Sequence, residues 1–403
     1  MVLLACNILV GLAFAFVSPF FSIFGTRKVG MSPFVFGVFM TVLSLSAIVI
    51  STWLARWSDT RLPRRTVLLI GGVAGMLNYL GYAWVSYAHP ASLQSGFEVH
   101  DLVSLTINGC LLGGIASITF SQLFAYARDL LACSDIPTSH APLYMNVFRL
   151  FFAVSWTAGP AVAAWVMLRY DFVGMFLVAA LCFLLFVIIL LGLVPSTPPL
   201  ASARAAAAQM PLRRVLVRAD ILAYFTSFSL LFAAGTMGML NLPLLVLNVL
   251  NGTGQQVGII YSVAPAFEIP FMLYFGLLAT KSDQARLIRI AVIIAVVYYA
   301  LLSFVRVPWQ VYPLQILSAA ITAVVGGIAI TFFQNFLPEQ PGTATNLYST
   351  AGRIGGTVGY LVFGALASAF GYRAVFFACT GMAVLALAIL LTGCARRPVL
   401  VPP

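Results

Sequence analysis

The sequence predicts an all-α integral membrane fold of twelve transmembrane helices arranged as two six-helix pseudo-repeats. Three observations predict it. The 403 residues are 62% hydrophobic and only 8% charged, far from the balance of a water-soluble domain. The apolar residues gather into runs of about 20, the length needed to cross a hydrocarbon layer. The order of motifs in the first half of the chain then returns in the second.

The first run, Leu3 to Phe24, is of spanning length, and no basic stretch or small-residue cleavage pattern accompanies it. It therefore reads as helix 1 rather than a cleavable leader. The next spans are 33–55, 66–87, 102–126, 140–167 and 171–194. A connector at 195–219 opens with Pro195-Ser-Thr-Pro-Pro, continues through an alanine run and carries Arg204, Arg213, Arg214 and Arg218. That composition makes a linker, not a span. Six further spans follow at 220–247, 255–279, 287–305, 309–336, 343–370 and 373–394. The expected organisation is an N-terminal six-helix bundle over 1–194, a cytoplasmic linker over 195–219 and a C-terminal six-helix bundle over 220–403.

Orientation follows from the basic residues. Loops on the side of the connector and both termini hold Arg56, Arg61, Arg64, Arg65, Arg128, Arg204, Arg213, Arg214, Arg218, Lys281, Arg286, Arg289, Arg396 and Arg397, against Arg27, Lys28, Arg169, Arg306 and Arg373 opposite. Positive charge stays in the cytoplasm, so both termini and the connector of this multi-pass protein are expected there. The net charge of +11 thus sets topology and gives no reason to expect a nucleic-acid partner.

The repeat is the strongest organisational signal. Leu54-Ala55-x-x-Ser58-Asp59, ending at Arg65, returns as Leu278-Ala279-x-x-Ser282-Asp283, ending at Arg289. Gly113-Gly114-Ile115-Ala116 with Thr119-Phe120-x-Gln122-x-Phe124 returns as Gly326-Gly327-Ile328-Ala329 with Thr331-Phe332-x-Gln334-x-Phe336. Leu143-Tyr144 with Arg149 returns as Leu347-Tyr348 with Arg353. Parallel repeats of this kind imply a transporter with its substrate site between the halves at mid-membrane.

The loop Ala55-Arg-Trp-Ser-Asp59-Thr-Arg-Leu-Pro-Arg64-Arg65 resembles the signature of the major facilitator superfamily, with Ala55 where that signature has a glycine. Within the superfamily the chain is similar to bacterial sugar efflux transporters over nearly its full length. The resemblance rests on Gln122-Leu-Phe-Ala-x-Ala-Arg128-Asp129, on Arg149 with Trp156 and Gly159-Pro160, and on Glu268-Ile269-Pro270. Phe333-Gln334-Asn335-x-Leu337-Pro338, followed by Gly342-x-Ala344-Thr345, completes it. It implies export of lactose, glucose or related glycosides by proton antiport, in the bacterial inner membrane. Residues alone go as far as a transporter.

Glu268 lies in the middle of the apolar run from Gln255 to Ala279, and an ionised carboxylate at mid-bilayer costs at least about 2.5 kcal/mol. It must be paired, protonated or wet. Arg149 and Arg353 are the other charges well inside spans, at a depth of about 13 to 16 Å, similar to that of Glu268. Because helices 5 and 8 adjoin across the domain interface in the superfamily fold, the resemblance favours an interdomain pair of Arg149 with Glu268 and leaves Arg353 as a sugar-facing or carbonyl-bound cation. Glu268 then either couples transport to protons, neutral in one access state and ionised in the other, or forms a permanent ion pair that locks helices.

Sugar binding requires amides and an aromatic face. The candidates are Gln122, Asn146, Asn241, Gln334, Asn335 and Asn346, with Tyr144, Trp156, Tyr261 and Tyr348; each amide also has the reading of an interhelical bridge. Gln122 and Gln334 stand out because they occupy matching repeat positions. Trp156 follows Arg149 by two helical turns and could stack a sugar or simply pack. Asp59 and Asp283, with Arg65 and Arg128, are expected gate elements. An Asp59 carboxylate can face the positive N-terminus of helix 11 near Gly342 and Thr343. Gly159-Pro160 after Ser155 weakly resembles a helix 5 antiporter pattern.

The remaining chemistry is sparse. His89, Glu98, His100 and Asp101 share one loop at irregular spacing, more like a solvated loop than a metal site. The six cysteines, at 6, 110, 133, 182, 379 and 394, have no metal or disulfide pattern. No enzyme motif and no cofactor are expected. The anticipated partners are a small-molecule sugar, protons and the lipid bilayer, around a monomer. The alternative within the same fold is a multidrug or other small-metabolite exporter.

Overall fold

In hydrocarbon every backbone N–H and C=O has to be satisfied within its own segment, and apolar runs of this length achieve that as helices. The computed structural model describes residues 2–60, 62–88, 99–132, 141–194, 219–337 and 341–394. Among them there is no strand, and eleven helices are long and apolar enough to cross a membrane. In chain order they are α1 (Val2–Lys28), α2 (Pro33–Thr60), α3 (Arg64–Ala88), α4 (Val99–Leu131), α5 (Ala141–Leu193) and α6 (Ala219–Asn248). α7 (Gly254–Lys281), α8 (Gln284–Phe304), α9 (Pro308–Asn335), α10 (Pro341–Phe370) and α11 (Tyr372–Cys394) complete the set.

Where the sequence predicts separate spans at 140–167 and 171–194, the structure has the 53-residue α5. It is broken at Asp171, whose φ of 55° and ψ of −164° are not helical, so a first arm (141–170) and a second arm (172–193) meet at a kink. The connector, apart from Ala219, lies outside the described residues, as do 89–98.

The chain packs into two compact units, Met1–Arg204 with Thr253–Ala266, and Ala205–Gly252 with Phe267–Pro403. The sequence expects the whole of 220–403 in the second bundle, whereas the start of α7 packs with the first unit. Gly258 supplies the reason. A Cβ there would lie 2.6 Å from both the Pro160 carbonyl oxygen and the Ala164 Cβ, an approach that glycine alone permits.

Within the first unit α1 lies against the first arm of α5 through small residues. A Cβ on Gly11 would sit 2.9 Å from that of Ser155, and one on Gly159 would sit 2.6 Å from that of Ala15. On the other side Gly72 and Gly75 of α3 receive Phe186 and Phe183 from the second arm. Phe24, Tyr82 and Phe176 continue that core, with ring centroids 4.8 to 6.3 Å apart. Apolar surface drives little association between helices in lipid, so close contact at glycine, alanine and serine supplies the packing.

The second unit repeats the scheme. Gly355 and Gly359 of α10 press on α6, where added Cβ atoms would come within 2.3 Å of the Ser229 oxygen and 2.7 Å of the Ala233 oxygen. Gly359 matches Ser155 in the repeat register that relates Arg353 to Arg149. α4 and α9 each contain a π-helical segment, at Gly109–Gly113 and Ala323–Ile328, beside or within the repeated Gly-Gly-Ile-Ala. The first copy holds one extra residue before its Thr-Phe. It is taken up at Ser117, between helical pieces ending at Ala116 and starting at Ile118.

Candidate functional site: polar groups on the membrane helices

Each unit carries its polar side chains in layers. In the first, the layer beside the α2–α3 turn joins three helices. Gln122 of α4 is 4% exposed, and its Oε1 accepts from Ser58 Oγ at 3.0 Å and from Arg64 Nη1 at 3.0 Å. Arg64 Nε also bonds and ion-pairs with Asp129, the two side chains being 8% and 13% exposed. Arg65 turns the other way and donates to the carbonyls of Leu190 and Leu191 at 3.1 and 2.9 Å. There it satisfies acceptors that the C-terminus of α5 leaves open.

Deeper in the first unit, Ser155 Oγ donates to the Ile8 carbonyl at 3.2 Å and Asn7 Nδ2 to that of Phe148. Arg149 is exposed on the first arm of α5. Two turns on, the Trp156 Nε1 is buried without a hydrogen-bond partner, and so is Ser262 Oγ of α7. At the far end Lys28, 8% exposed, pairs with Asp171.

In the second unit the amides again bridge helices. Gln334 Nε2 donates to Thr345 Oγ1 at 3.0 Å, and Asn335 Nδ2 to Gln284 Oε1 at 3.1 Å. Asn241 is fully buried and donates to the Tyr372 carbonyl at 2.8 Å. Tyr348 donates to the Val325 carbonyl at 2.8 Å, inside the π segment of α9, where the irregular backbone leaves carbonyls in need of a donor. Its ring packs among Phe228, Phe232 and Phe333. Arg353 is exposed on α10, and Glu268 is half-buried on α7.

Gln122, Gln334, Asn335 and Asn241, each read from sequence as a sugar ligand or an interhelical bridge, and Tyr348, read as an aromatic sugar contact, all bond other protein groups, as amides and phenols in an apolar medium do. Asp283, expected at a gate, caps the N-terminus of α8, accepting from the Ala285 N–H at 3.0 Å with Arg289 3.9 Å away. Arg65 caps α5, and Arg128 is exposed. The side chains of Asn146 and Asp59 lie outside the described residues, as do His89 and Glu98. His100 stands 3.8 Å from Asp101, and no cluster suited to a metal occurs among the described residues.

Sequence reasoning quoted Ser58, Arg64 and Asp129 within motifs but assigned no contact to them, and it gave Ser262 no role. One usable signal was the spacing of Gln122 and Asp129, seven residues apart and so on one helix face, with Ser58 and Arg64 flanking Asp59 in the repeated motif.

An all-helical chain of this apolarity, packed as two compact units whose sequences repeat one another, has the make-up of a membrane transporter. Its residues 3–360 match the family model for the Major Facilitator Superfamily, and the chain belongs to that superfamily. A Deinococcus radiodurans protein of the sugar efflux transporter class is 34% identical over 97% of this chain and 96% of its own. Sugar efflux transporter A of Dickeya chrysanthemi is 31% identical over 91% of this chain and 88% of its own, and that of Escherichia coli K12 is 29% identical over 94% and 92%. Among solved structures, the crystal structure of the nucleoside transporter NupG superposes with a TM-score of 0.73 over 98% of this chain and 100% of that one, at 16% identity. That likeness extends to the fold.

Proposed function

We propose that this transporter exports sugars from the cytoplasm by alternating access, driven by proton entry. The observation that carries the reading is similarity over nearly the whole chain to proteins named sugar efflux transporters. On this reading the two arms of α5 are separate crossings, which makes twelve. At about 1.5 Å per residue its 53 residues would span far more than a bilayer. An even count puts both termini on one side, and the bias of basic residues makes that side the cytoplasm.

Glu268 is the coupling acid, protonated in one access state and ionised against Arg149 in the other, with Arg353 turned toward substrate. The reading draws support from the depth of all three in their apolar runs and from the cost of leaving a charge unanswered there. Asp59 and Arg128 remain gate residues in this scheme, and Asn146 a sugar ligand.

The test is counterflow with the full-length protein in proteoliposomes, using labelled glucose, galactose and lactose and a lipophilic cation, with and without an imposed pH gradient. Sugar exchange that the gradient accelerates supports the proposal. Flux of the cation without sugar exchange overturns it in favour of a multidrug exporter.

A further inference from the structure

α7 and the first arm of α5 run antiparallel where they meet in the first unit. A Cβ on Gly254 would touch the Met167 methyl at 3.0 Å, and one on Gly258 would meet Ala164, Pro160 and Ala161 at 2.6 to 3.3 Å. Rising numbers on α7 thus face falling numbers on α5. One turn further, on the same faces, come Ser262 of α7 and Trp156 of α5. Both polar atoms, Trp156 Nε1 and Ser262 Oγ, are shielded from solvent and lack a hydrogen-bond partner, although both residues as wholes are partly exposed. The antiparallel register therefore carries the two residues to neighbouring positions, one turn past the closest approach at Gly258.

Two orphan groups at one place differ from scattered ones. Unpaired hydroxyls, on Ser22, Ser86 and Thr119 as on Ser262, can rotate to a carbonyl of the preceding turn, as serine and threonine commonly do in helices. An indole N–H has no such recourse, because it is a rigid donor with nothing else to offer. An unmet donor in an apolar surround is costly, and it is tolerated where a ligand meets it. Pro160, with no N–H of its own, also cannot close the helical bond to the carbonyl of Trp156, which leaves the backbone beside the indole with an acceptor to spare.

We propose that Trp156 and Ser262 form a hydroxyl-binding subsite in the first unit. A substrate hydroxyl accepts from Trp156 Nε1–H and donates to Ser262 Oγ, so each partner is satisfied once. Both protein groups are neutral, which suits a neutral hydroxyl and offers nothing to balance a carboxylate or phosphate. The inference rests on the sugar reading above and deepens it. It assigns to Trp156 the role of an edge-on donor in place of a stacking face, and it adds Ser262 as a residue that sets specificity.

The experiment is equilibrium binding to the full-length protein in nanodiscs, using glucose, galactose and lactose together with the monodeoxy analogues of whichever binds. In the wild type one deoxygenation is expected to weaken binding by about tenfold, the effect of one lost hydrogen bond to a buried donor. Trp156→Phe keeps the ring and loses the N–H. It should weaken the parent sugar by a similar factor and become indifferent to that same deoxygenation, and Ser262→Ala should do likewise. Parent affinity unchanged in both variants, or a uniform loss across all analogues, overturns the subsite alone. A wild type that binds no sugar in the panel overturns the function on which it rests. Should neither variant fold, the wild-type series still decides, since no single deoxygenation standing out also overturns the subsite.

Discussion

Arg64 and Asp129 form an ion pair between α3 and α4 with both side chains largely buried, and Gln122 accepts a hydrogen bond from the same guanidinium. Ser58 adds a fourth member from the end of α2. The corresponding corner of the second unit holds the neutral pair Asn335 and Gln284. The α7–α8 turn also carries Asp283 with Arg289 3.9 Å away, so both turns join charged and amide side chains, but with different partners.

Removing one partner of the charged corner strands the other in a poorly solvated place. Asp129→Asn should destabilise the first unit by about 3 kcal/mol, and Arg64→Met by a similar amount. The double variant should lose less than the sum, because no lone charge remains. Thermal unfolding of the purified protein in detergent measures all three, and additive losses would count against the pair.

Gly258 meets backbone, so a methyl group has no room. Gly258→Ala should cost about 1 to 3 kcal/mol through overpacking and lower transport. Gly276→Ala, on the same helix with no atom within 4 Å of the added Cβ, should be neutral or slightly stabilising. Equal melting temperatures for the two variants would contradict the close approach of α7 to α5.

Asp171 has a backbone conformation nearly exclusive to glycine, at a cost of about 1 to 3 kcal/mol. Asp171→Gly relieves that strain and abandons the buried Lys28. Lys28→Met combined with Asp171→Gly removes both penalties. The double variant should melt above either single one, whereas a double variant that melts below Lys28→Met would show that Asp171 is unstrained.

Glu268→Gln mimics the protonated acid permanently. If Glu268 is the coupling group, the variant should keep sugar counterflow and lose acceleration by a pH gradient, since it can no longer release a proton on the cytoplasmic side. Flux that still follows the gradient in reconstituted vesicles would assign coupling elsewhere.

Much of the fold was legible in one dimension. The runs around Glu268 and Arg149 announced spans, and the second Gly-Gly-Ile-Ala announced a repeat of the α4 motif, but the π segments of α4 and α9 were not foreseen. The candidate site was less legible. Gln122 and Gln334 occupy matching motif positions in the sequence, but matching positions are silent about partners. Gln122 meets Arg64 and Ser58, while Gln334 meets Thr345. Tyr348 carried no sign that its hydroxyl would serve the irregular backbone at Val325.

By itself the sequence determined that this is a polytopic helical membrane protein with a duplicated plan, because hydrocarbon leaves an apolar chain no other way to satisfy its backbone. Only the tertiary structure decided which polar groups became bridges and which stayed unpaired. That depends on the rotation and closeness of neighbouring helices, set by contacts such as Gly258 on Pro160 and Gly359 on Ala233. A few tenths of an ångström in those contacts determine whether a side chain reaches a carbonyl one helix away, and no pattern along the chain records that distance.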